Sequence, residues 1–112
     1  MSLDKKTEKV VDELIECMKN SEQFITYEKY RKMAVSDPEL SKKIKRTRVI
    51  REQLNEMSED DRNDYRAEML EKEYDELQDA TAVHLFSIAE LELCEMYREI
   101  IQKLVVNLDL DL

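Results

Sequence analysis

No glycine occurs in this chain of 112 residues, and the single proline is Pro38. That absence narrows the fold more than any motif does. Tight hairpins depend on residues that accept positive φ, and most loops are punctuated by Gly or Pro. With 40 % charged residues interleaved among apolar ones, the pattern is helix throughout, and nothing reads as a strand. The closing Leu108-Asp109-Leu110-Asp111-Leu112 alternates at period two, but so short a terminus reads as a frayed tail. The length fits one domain. The expectation is therefore an all-α fold of four to five helices over residues 1–107, with a tail at 108–112.

The longest periodic segment, 81–107, is expected to be the centre of that fold. At about 100° per residue, Val83, Phe86, Ala89, Leu93, Tyr97, Ile100, Ile101 and Leu104 share one face. Leu85, Ile88, Leu91 and Met96 lie on other sides, which is more apolar surface than packing on a single side requires. Phe86, Leu93, Tyr97, Ile100 and Leu104 are accordingly the candidate interface of a packed or intertwined homodimer. Glu90 projects onto this apolar face, between Tyr97 and Val83. Either it sits at a rim, or it is held by a partner, because a lone buried carboxylate is costly. Arg51, which projects into the apolar arc of an earlier helix, is the first candidate for that partner.

Ahead of this segment the chain divides at polar punctuation. A first helix from about Asp4 to Lys19 carries Leu3, Val10, Val11, Leu14 and Met18 on one stripe. Asn20-Ser21 can cap a second, with Phe24, Tyr27, Tyr30 and Ala34 inward; such aromatics at helical spacing read as core. Whether these two helices are separate or one kinked rod stays open, since no Gly or Pro forces a break. At Asp37-Pro38, Pro fits the first helical position and Asp37 is free to cap it. The third helix then presents Leu40, Ile44, Thr47, Ile50, Leu54 and Met57 inward. Ser58 followed by acidic residues reads as the cap of a fourth helix, whose sparse apolar set (Tyr65, Met69, Leu70, Leu77) predicts the least buried element. Asp79 or Thr81 is placed to cap the last.

Charge is unevenly distributed. The net charge of −9 opposes nonspecific binding to nucleic acid or acidic membranes. Yet residues 42–51 hold six basic groups, while 59–79 hold ten acidic and three basic ones. Lys42, Lys45, Arg46 and Arg48 form either a solvated or intramolecularly matched face or a docking surface for an acidic partner. An RNA-binding module on 42–51 is the alternative reading.

Signs of catalysis are lacking. Phosphate-cradling loops require glycine. His84 is the only histidine, with Thr81 three residues before it in place of the Glu of a di-metal helix motif. Cys17 and Cys94 stand apart from any paired-ligand spacing. The expectation is no enzyme activity, no metal and no cofactor. No run of 18 apolar residues is present for a membrane span, and residues 1–6 lack the apolar core of a signal peptide, so a cytoplasmic location is expected.

Three segments in order give a family resemblance: Glu22-Gln23-Phe24-Ile25-Thr26-Tyr27-Glu28, then Ala34-Val35-Ser36-Asp37-Pro38-Glu39-Leu40, then Ile88-Ala89-Glu90-Leu91-Glu92-Leu93 followed by Tyr97, Ile100 and Ile101. Together they resemble the YlbF/YmcA family of small bacterial regulatory proteins. The resemblance implies a helical, dimer-forming, non-enzymatic subunit that associates with itself or with related helical proteins. It also implies roles in competence, sporulation and biofilm control, and contacts with RNA-processing machinery. Some relatives' complexes hold iron–sulfur clusters. Two cysteines cannot supply four thiolates, so a cluster here would need ligands from other chains.

Overall fold

The computed structural model describes residues 2–61 and 64–109. Among these residues five α-helices follow one another: α1 (Lys5–Lys19), α2 (Glu22–Val35), α3 (Pro38–Glu56), α4 (Tyr65–Gln78) and α5 (Thr81–Asn107). No strand occurs among the described residues.

Local chemistry sets most of the boundaries. Asp4 caps α1 by accepting a 2.7 Å hydrogen bond from the Thr7 amide. Ser21 separates α1 from α2: its hydroxyl accepts from the Phe24 amide at 3.2 Å and donates to the Met18 carbonyl. Asp37 accepts from the Leu40 amide with Pro38 in the first turn of α3. These polar oxygens satisfy amides that an unstarted helix leaves without partners. At the far end of α5, Asp109 adopts φ 54°. A left-handed residue past a helix end is usually Gly; in a glycine-free chain Asp, which tolerates that region, takes the position. Residues 110–112 of the expected tail lie outside the described residues.

Two boundaries differ from expectation. Ser58 does not start α4. Its hydroxyl donates to Asp61 Oδ2 at 2.9 Å and accepts from the Asp61 amide, closing a local turn, and α4 begins at Tyr65 after Asp64. The N-cap of α5 is Ala80, with no side-chain hydrogen bond, so neither Asp79 nor Thr81 caps it.

The most extensive packing sets α2 against α5, with α3 and α4 completing the assembly. Ala34, Ile44 and Phe86 form one buried cluster, flanked by Tyr27, Tyr30 and Leu40. The Tyr27 and Phe86 rings meet at 5.6 Å, tilted by 50°, within the range of favourable aromatic pairs. Ile50, Ala67, Leu70 and Val83 are buried on α3, α4 and α5, three helices that pack on one another. Buried hydroxyls are satisfied: Thr47 donates to the Lys43 carbonyl and Ser87 accepts from Gln78.

The helix with the least burial is α1, which buries no residue, whereas α4 buries Ala67 and Leu70. This corrects the expectation for α4. Its sparse apolar set concealed Ala67, a small residue suited to close helix approach. The molecule is also open, with extents of 52 × 38 × 24 Å and a radius of gyration of 18.0 Å. A compact chain of this length has a radius of about 13 Å.

Candidate interaction surface

The polar centre of the structure is Glu90 on α5. Its carboxylate accepts from Arg51 Nη2 at 2.5 Å through Oε1, and from Arg48 Nε and Nη2 at 2.9 and 2.6 Å through Oε2. Burial disfavours the charged form of Glu90, but hydrogen bonds and charge from Arg51 and Arg48 outweigh it and hold the carboxyl below its ordinary value of 4.5. Burial likewise opposes charge on Arg48, and its hydrogen bond to Glu90 overcomes that. The Arg48 guanidinium also lies 5.4 Å from the Phe86 ring centre, a cation–π distance. One carboxylate thus ties two turns of α3 to α5 beside the aromatic cluster. Arg51 Nε is buried without a hydrogen-bond partner among the described residues.

This geometry redistributes the basic stretch. Arg48, although still partly exposed, is matched within the chain by Glu90. Arg46 pairs through two nitrogens with Glu73 on α4, so its charge is matched within the chain. Both ends of that pair are substantially exposed, where ion pairs contribute little. Lys42 and Lys45 remain exposed.

The apolar counterpart is a broad face on α1 and the second half of α5. Val10, Val11, Leu14 and Ile15 on α1 are exposed, as are Tyr97, Ile101 and Leu104 on α5. Between the two helices runs an open groove of about 350 Å³, lined by Ile15, Met18, Phe24, Leu93, Cys94 and Tyr97, with Lys19 at its edge. Of the five interface candidates, Phe86 is buried in the chain's own core, Leu93 and Ile100 are half-buried, and Tyr97 and Leu104 are exposed. Phe86 therefore packs with Ala34 and Ile44 in the core and does not line the groove. The contribution of α1 was not legible in advance: an amphipathic stripe shows that a face needs cover, not that its own chain leaves it bare.

Cys17 and Cys94 are free and exposed. No group of three or more His, Cys, Asp or Glu side chains among the described residues is placed to hold a metal ion. No helix there is long and apolar enough to cross a membrane.

An open, all-helical chain with an internal ionic clasp and a bare apolar helix face is the class that this architecture defines. The chain belongs to the family described as control of competence regulator ComK, YlbF/YmcA, whose family model matches residues 8–109. Membership supports a regulatory role in the control of competence. No curated protein and no solved structure matches the chain.

Proposed function

We propose that this protein is a non-enzymatic regulatory subunit of the cytoplasm that acts by helix-to-helix association through the α1/α5 face. Its partner is a second copy or a related helical chain. The observation that carries this reading is surface area. The chain exposes 9141 Å², whereas a folded monomer of 13.4 kDa exposes about 6,500 Å². The excess, roughly 2,600 Å², is far above the ~800 Å² per partner of a standard interface and lies near the upper end for obligate assemblies. Much of the exposed apolar area lies on α1 and α5, so association covers surface that folding leaves wet.

Contact with RNA-processing machinery, on this reading, goes through protein surfaces. An extended RNA strand needs a long row of available cations, and Glu73 and Glu90 offset the charge of Arg46 and Arg48 along this stretch.

Sedimentation of the wild type, Ile15→Asp and Leu104→Asp tests the proposal. The wild type is expected to be dimeric or larger at micromolar concentration, and both variants to shift to monomer with helical content retained. A monomeric wild type, or variants that assemble as the wild type does, overturns it.

A further inference from the structure

A second cavity, of about 230 Å³, lies where α2, α3 and α5 meet, and its lining holds three cations and no carboxylate. In a chain of net charge −9, that is an unexpected concentration of positive charge. Arg31 contributes from α2, and Lys45 and Arg48 from α3, with the Ser41 hydroxyl beside them. We propose that this cavity binds a phosphate monoester dianion.

Unused hydrogen-bond donors are the first argument. Arg31 directs Nε and Nη2 at Glu28, and Arg48 directs Nε and Nη2 at Glu90. A guanidinium carries five N–H bonds, so Arg31 retains its Nη1 pair, whereas Arg48 also engages the Tyr27 hydroxyl in the same lining. Lys45 forms no ion pair among the described residues, and Ser41 Oγ no hydrogen bond. Donors brought to one cavity by two helices suit an oxyanion with three terminal oxygens, and charged donors bind such groups strongly.

Charge is the second argument. Of the three lining cations, Arg31 pairs with Glu28 and Arg48 shares Glu90 with Arg51, which lies outside the lining, while Lys45 has no ion pair among the described residues. The neighbourhood therefore keeps a net positive charge, which favours a dianion over a single carboxylate. The lining also includes apolar Val35, Ile44 and Phe86, which can accommodate the short stem of an ester. The ligand is therefore a phosphorylated side chain or a small soluble phosphate monoester.

Calorimetric titration of the full chain with inorganic phosphate, phospho-L-serine and L-glutamate is the test. Saturable binding of both phosphates is expected, with glutamate at least about tenfold weaker, and with Lys45→Ala and Arg31→Ala each weakening phosphate binding roughly tenfold. Both side chains are exposed and lie outside the Glu90 clasp, so both variants are expected to fold, with wild-type circular dichroism. Tighter binding of phosphoserine than of inorganic phosphate supports the monoester, and equal binding overturns the ester assignment, since the stem then makes no contact. The proposal is overturned by absence of saturable binding, by affinity unchanged in both variants, by glutamate binding as well as phosphoserine, or by single-stranded RNA displacing the phosphates.

Discussion

Glu90 on α5 and Arg51 on α3 meet at 2.5 Å with side chains only 15 % and 25 % exposed. The pair is neither a surface ion pair nor a fully buried one. Exposed pairs are worth about 0–1 kcal/mol, and breaking a buried one costs about 3–5 kcal/mol. Glu90→Gln leaves two guanidiniums, Arg48 and Arg51, close together with no carboxylate between them. A loss of about 2–3 kcal/mol is expected, with Arg51→Met losing less because Arg48 still holds Glu90. Urea unfolding of both single variants and the double variant measures this. Additive effects in that cycle would mean that the two residues do not stabilise each other.

The same carboxylate sets a pH response. The folded-state pKa of Glu90 lies below its ordinary 4.5, so the folded state favours ionisation more than the unfolded chain does. Its stabilisation is complete above about pH 4.5–5 and is lost as pH falls through the lower folded value. Between neutrality and pH 5 the Glu90 contribution is therefore flat. Thermal melts of the wild type and Glu90→Gln should differ by a constant amount in that range and converge in acid. A difference that grows on acidification is the contrary result.

Arg46 and Glu73 provide the contrast. They pair as closely as Arg51 and Glu90, but the side chains are 43 % and 40 % exposed, and water screens the attraction. Swapping the charges with Arg46→Glu and Glu73→Arg should leave the urea midpoint unchanged, and raising the salt concentration should not separate the swapped protein from wild type. A midpoint drop comparable to that of Glu90→Gln would show α4 to be anchored by this pair.

What could be seen in the sequence was mostly what neighbouring residues decide. Ser21 and Asp37 cap their helices because a side-chain oxygen three residues before an unpaired amide needs no tertiary help. Ser58 makes the same bond to the amide three residues on, but it caps only a local turn, and α4 starts later, at Tyr65. Arg51 could be named for Glu90 because both break an apolar arc. Arg48 could not, since helical projection tracks Cβ and ignores how far a guanidinium reaches around a helix. The bareness of α1 lies outside sequence periodicity altogether, because the apolar stripe is the same whether the chain itself or a partner covers it.

The bareness of α1 leads to the last prediction, which concerns where the chain opens. Local opening is easiest where few apolar contacts are buried. Among the helices, α1 alone buries nothing, and its junction with α2 is held by local bonds, the Ser21 hydroxyl and a few backbone hydrogen bonds. In the chain alone, amides of α1 should exchange with solvent much faster than those of α3, which buries Ile44, Thr47 and Ile50. Association over the α1/α5 face should slow them. Hydrogen exchange of the wild type at high concentration is therefore expected to protect α1 and the second half of α5. Leu104→Asp should lose that protection while keeping it in α3. If α1 is as protected as α3 in a monomeric sample, its own chain holds it and the apolar face has another use.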